Sequence, residues 1–175
     1  ALKIEDLKNY CKKNKIKSVG LSDTANLFGA LEFSENISKV GTQPIIGTQI
    51  NFKYKDTIGL LPLFAMNSKG YKRIIEISSK SYLENDGITI QHCPFSDLLK
   101  NNDGIAIFSG AVDGLAGKLF NKSRYDDLNY IYNSLKSSFV NRFYIEIQRH
   151  NDLNEKEFEK FNLKKSNEFD VPLIA

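Results

Sequence analysis

The stretch Ser22-Asp23-Thr24-Ala25-Asn26-Leu27-Phe28-Gly29-Ala30 directly follows the short apolar run Ser18-Val19-Gly20-Leu21. This order predicts a buried strand ending at an acidic residue, then a helix capped by Asn26. A carboxylate at a strand end can hold a metal ion or act as a base. It can equally cap the next helix or close a turn, and spacing leaves both roles open for Asp23. His150 comes just past Arg142-Phe143-Tyr144-Ile145-Glu146-Ile147-Gln148. There a neutral imidazole could ligate a metal, although a lone loop histidine is more often a surface residue. Glu146 lies inside that run between two isoleucines, so its direction decides whether it serves a shared cavity or a helix interface.

Other candidates read as structural. His92 beside Cys93 does not match zinc-ligand spacing, and the chain has no second such pair. Ser109 to Lys118 joins a strand to a helix and ends in Gly-Lys. Six residues separate Gly110 from Gly117 and Leu119 follows the lysine, whereas a phosphate loop needs four residues between its glycines and then Ser or Thr. A glycine-bearing strand-to-helix turn accounts for it better. No Ser-His-Asp or Cys-His order is persuasive.

The elements that must position these residues follow from periodicity. Apolar spacing predicts helices over 3–14, 26–39, 68–83, 94–100, 113–121, 124–138 and 153–167. Strands are predicted over 17–22, 44–52, 59–65, 104–109, 142–148 and 171–175. Strands alternate with helices nearly throughout, which argues for parallel pairing through crossover helices in an α/β fold. In a barrel of parallel strands, chemistry sits at the C-terminal strand ends. No linker rich in Pro, Gly or Ser divides the 175 residues, and one domain is expected. The chain opens inside a helix without an initiator Met and closes on a bare strand, so a piece of a longer protein is expected.

Bulk properties exclude several classes. A net charge of +3 is too small to identify a nucleic-acid binder. The cluster Lys12, Lys13, Lys15 and Lys17 lies where positive charge favours a helix C-terminus. No apolar run approaches the roughly 20 residues needed to cross a bilayer, and no export signal is visible at the start. Two cysteines, Cys11 and Cys93, do not make a disulfide framework in a chain of this size. A reducing cytoplasm is expected.

Taken together, Ser22 to Phe33, then Gln43-Pro44-Ile45-Ile46-Gly47, then Tyr144-Ile145-Glu146-Ile147-Gln148-Arg149-His150 resemble one family. It is the N-terminal polymerase-and-histidinol-phosphatase (PHP) domain of the bacterial DNA polymerase III alpha subunit. Ala65 to Arg73 and the turn Ser109 to Gly117 match the same pattern in order. The resemblance implies a distorted, TIM-like barrel of about seven βα units, incomplete in this chain, whose active members hold up to three metal ions at the strand ends. Carried over by position, Asp23 matches an acidic ligand and His150 a ligand histidine. Thr24 stands where active members have His, and Gln49 where they have Glu. A first His-x-His would precede Ala1 and a closing Asp-x-His would follow Ala175. Asp23 and His150 are thus expected as remnant ligands, with no catalytic residues and no cofactor in this chain. Zinc or manganese would bind only if the site still functions. The resemblance further implies a parent enzyme that synthesises DNA with magnesium. This domain would then be a degenerate scaffold that braces the polymerase and docks the proofreading exonuclease subunit. Its partners would be the remaining alpha-subunit domains, that exonuclease and, through the parent, DNA. An active PHP-type phosphoesterase or 3′–5′ exonuclease is the alternative.

Overall fold

Apolar side chains recur at every second position of the strands and bury one sheet face against helices. The computed structural model describes residues 3–85 and 87–175. In chain order the elements are α1 (Ile4–Asn14), β1 (Ser18–Thr24), α2 (Ala30–Ser38), β2 (Gln43–Tyr54), β3 (Thr57–Ala65), α3 (Ser68–Leu83) and β4 (Cys93–Pro94). They continue with α4 (Phe95–Lys100), β5 (Ile105–Phe108), α5 (Leu115–Asn121), α6 (Tyr125–Ser138), β6 (Phe143–Glu146), α7 (Glu155–Phe169) and β7 (Leu173–Ile174). The strands run in the order β1-β2-β3-β5-β6-β7, with β4 added beside β2.

Pairing departs from the all-parallel expectation. The pairs β1–β2, β2–β4, β5–β6 and β6–β7 are parallel, but β3 is antiparallel to both β2 and β5. The cause is local. Tyr54 pairs with Thr57 across a two-residue turn in which Lys55 takes φ 53°, and a turn this short can only reverse the chain. Asp127 of α6 fastens that turn, accepting from Lys55 Nζ at 2.5 Å and from Arg124 Nε at 2.7 Å.

Side-chain alternation sorts the sheet into two faces. Ile50, Phe52, Leu61, Leu63, Ile105, Ile107, Phe143 and Ile145 point to the helices and form the main core. Val19, Leu21 and Ile46 do the same against Cys11, Phe33 and Ile37 of α1 and α2. The opposite face curls. Gly20, Ile45, Phe64, Phe108, Tyr144 and Ile174, from six different strands, line one cavity of about 530 Å³. Phe64 packs on Phe108 at 4.6 Å between ring centroids, and Phe108 on Tyr144 at 5.7 Å. This is the interior of an incomplete barrel within a mixed α/β fold. Cys11 and Cys93 are both buried and free.

Two boundaries bear on function. β1 runs on through Asp23 and Thr24, two residues past its predicted end. Asn26 does not cap a helix. Its Oδ1 accepts from the Phe28 amide at 3.0 Å and its Nδ2 donates to the Thr24 carbonyl at 2.8 Å, and α2 starts only at Ala30. A side chain that satisfies its own turn in this way competes with helix initiation.

Candidate functional site at the strand ends

Extending β1 places Asp23 opposite Thr48 and Thr24 opposite Gln49. The Thr48 hydroxyl donates to the Asp23 carbonyl at 2.7 Å, and the Ala25 amide donates to the Gln49 carbonyl at 2.8 Å. By alternation Thr24 shares the concave face with Gly20 and Ser22, and Gln49 shares it with Ile45 and Gly47. Asp23 is on the other face, with Val19 and Leu21. Its carboxylate lies against Gly29, where a Cβ would come within 2.9 Å of Oδ2.

The rim continues from Gln49 to its partner Pro62 on β3 and on to Gly110. A Cβ on Gly110 would sit 3.2 Å from the Leu60 carbonyl oxygen and 3.7 Å from Pro62 Cδ. Gly110 also takes φ +81°, so this turn requires glycine. Gly117 packs on the Val112 backbone, and α5 is only seven residues long. Ser109 to Lys118 is therefore the structural turn its spacing indicated.

Glu146 ends β6 on the concave side, in step with Tyr144. Its amide donates to Ser109 Oγ at 2.9 Å, and its Oε1 accepts from Gln148 Nε2 at 2.6 Å. Its Oε2 is buried and meets no partner among the described residues. Burial pushes the Glu146 carboxyl above the usual carboxylate range. Gln148 and the Gly110 amide oppose that rise, and the charge of Asp113 adds to it. Behind the strand, the buried Tyr132 hydroxyl donates to Asn162 Oδ1 at 2.7 Å, and Asn162 Nδ2 donates to the Glu146 carbonyl at 3.2 Å.

His150 is exposed in the loop after β6, and its backbone is tied down. The His150 and Asn151 amides donate to the two Glu155 carboxylate oxygens at 2.7 and 2.8 Å. These bonds, the His150 amide foremost, hold the Glu155 carboxyl below its usual range. His150 lines a cavity of about 720 Å³ together with Glu146, Gln148 and Ile174. Glu146 and His150 thus come to one cavity, whereas Asp23 is on β1 at the other end of the strand order and faces the helices. His92 stays local: its Nδ1 lies 2.7 Å from the Ile90 carbonyl oxygen.

The sequence assigns no role at the site to Ser22, Ser109 or Glu155. Only Ser22 carried a signal, its parity with Thr24, and its Oγ is buried without a partner among the described residues. Glu155, an acid in the first turn of α7, carries no sequence signal of its contact with the His150 loop.

Residues 1–150 match the family model of the PHP domain. The chain belongs to the PHP domain family. Over its whole length, this PHP domain is 34% identical to the DNA polymerase III subunit alpha of Rickettsia felis. It is 33% identical to that of Borreliella burgdorferi and 30% identical to that of Caulobacter vibrioides, again over the whole chain. The chain spans 15% of the Rickettsia felis protein and 16% of each of the other two. Its fold resembles that of a Bifidobacterium adolescentis protein described as a metal-dependent phosphoesterase. The TM-score is 0.52 at 12% identity, covering 99% of this chain and 80% of that one.

The family resemblance implies metal ions at the strand ends, and the donors in this chain do not fit a multinuclear centre. Thr24 and Gln49 are neutral, Asp23 faces the helices, and no group of three His, Cys, Asp or Glu among the described residues could hold an ion. Several divalent ions together need carboxylates to offset their charge and fixed imidazoles to set their geometry. No helix among the described residues is long and apolar enough to cross a membrane.

Proposed function

We propose that residues 1–175 form one PHP domain of a bacterial DNA polymerase III alpha subunit and serve it as a non-catalytic scaffold. Template-directed DNA synthesis, with magnesium, then belongs to a part of the enzyme outside this chain. The scaffold braces that polymerase body in the cytoplasm and docks the proofreading exonuclease subunit. The observation carrying this reading is the juxtaposition of Thr24 and Gln49, two uncharged side chains in register on the concave rim. The family resemblance puts ligands at both positions. Asp23 and His150 are left as remnants of the ligand set.

The alternative is an active phosphoesterase or 3′–5′ exonuclease using zinc or manganese. What favours it is the cavity that Glu146 shares with His150. Assays of the full-length subunit separate the two readings. The scaffold reading expects nucleotide incorporation without zinc- or manganese-dependent hydrolysis of DNA 3′ ends or phosphomonoesters. Hydrolysis that disappears in Glu146→Ala or His150→Ala contradicts it.

A further inference from the structure

Beside the rim, the loop after β1 and the outer side of α3 enclose a groove of about 490 Å³. Ala25, Leu27, Phe28, Tyr71, Ile75 and Tyr82 line it, and the rest of its wall is uncharged. Its apolar surface is open: Phe28 is 92% exposed, Tyr82 49% and Ile75 41%. A phenylalanine this bare on a loop tip gains nothing from burial within the chain, and clustered exposed apolar groups mark an interaction site.

The groove is built on a fixed support. Ala25 takes φ +60°, a left-handed conformation uncommon for alanine. Two bonds hold it there, its amide to the Gln49 carbonyl and the Tyr82 hydroxyl to its own carbonyl at 3.0 Å. Backbone strain of this kind persists only where the surroundings over-determine it. The backbone on the β1 side of the groove is therefore set before anything enters, which removes that part of the ordering cost of binding.

Size and charge select the occupant. A groove of this volume seats only a few side chains, whereas stable complexes of separate proteins engage roughly 20–30 residues a side. A segment tethered on the same polypeptide meets the groove at an effective concentration on the order of millimolar, and a small contact then suffices. The relatives supply such a tether, since the matched region is only 15% of the Rickettsia felis protein. With no charge in the wall, a charged segment would be desolvated without compensation.

We propose that this groove seats an uncharged, apolar segment of the same polypeptide from outside residues 1–175, an inference that rests on the alpha-subunit reading. The test replaces Phe28, and separately Ile75, by benzoylphenylalanine in the full-length subunit, followed by irradiation and mapping by mass spectrometry. Phe28 is so exposed that its replacement leaves folding intact. Both positions are expected to crosslink, within one chain, to a common stretch outside 1–175. Crosslinks that join two copies, fall on another protein or stay within 1–175 overturn the proposal, as does their absence. Nucleotide incorporation by the same preparation separates the two claims. An active polymerase without the crosslink sinks the groove alone, and a preparation that cannot polymerise sinks the alpha-subunit reading.

Discussion

Thr24 and Gln49 face each other across the β1–β2 register, and neither brings a charge to the rim. Glu146 does, and it is held in an unfavourable setting, with one carboxylate oxygen buried and unpartnered among the described residues. Burial raises its proton affinity in the folded state, so the folded protein keeps a proton that the unfolded chain has released. Stability conferred by that protonated form is fully present at low pH. It is lost as pH rises from the ordinary carboxylate value through the raised one. Glu146→Gln removes this dependence while keeping a side-chain oxygen that can accept from Gln148 Nε2. Thermal melts of wild type and variant should therefore diverge in the variant's favour as pH rises above about 4, the ordinary carboxylate value. A melting difference that stays constant with pH would contradict this account of Glu146. Glu155 has the opposite sign. Its carboxyl is held below the usual range by amides of the His150 loop, so its contribution is present above the unfolded value and lost as pH falls through the folded one.

At the scale of elements, close backbone contacts and one buried polar chain hold the strand ends in place. α3 crosses the turn before β5 so closely that a Cβ on Gly70 would lie 1.8 Å from the Gly104 carbonyl oxygen. Asn67 caps the same helix, its Oδ1 accepting from the Gly70 amide at 3.0 Å. Gly70→Ala is expected to cost about 3 kcal/mol through backbone displacement, a fall in melting temperature of roughly 10 °C. A variant melting with wild type would show that the contact gives way freely. Tyr132→Phe strips Asn162 Oδ1 of its buried donor and should cost about 1–2 kcal/mol in urea unfolding. An unchanged midpoint would mean that Asn162 finds another partner. Most elements were legible in the sequence because period alone separates α3 or α6 from β2 or β5. The reversal at Lys55-Asp56 was not, because neither residue is Gly or Asn, the usual occupants of so tight a turn. Alternation of strands and helices then suggested parallel neighbours. At the site, the family resemblance names the positions Asp23, Thr24, Gln49 and His150 but no side-chain direction, and the fold separates Asp23 from the cavity that His150 lines. The face each side chain takes was not legible, because it depends on how far β1 runs, and Asn26 signalled a helix start where it instead closes a turn.

The whole molecule is a curled sheet whose end strands, β1 and β7, each pair on one side only among the described residues. The aromatic interior between them carries Phe64, Phe108 and Tyr144. Unpaired edges beside apolar surface invite association with other chains. A polypeptide of residues 1–175 alone should therefore sediment as a concentration-dependent mixture of sizes. A compact monomer with one cooperative melt would count against the incomplete-barrel description. The proposed scaffold role requires that the rim has exchanged its metal chemistry for a structural one. It is tested most directly by the zinc and manganese content of the intact alpha subunit, purified with both metals present and measured by mass spectrometry. The expected result is well below one equivalent per chain, unaltered by Asp23→Ala or His150→Ala. One or more equivalents, lost in either variant, would contradict it.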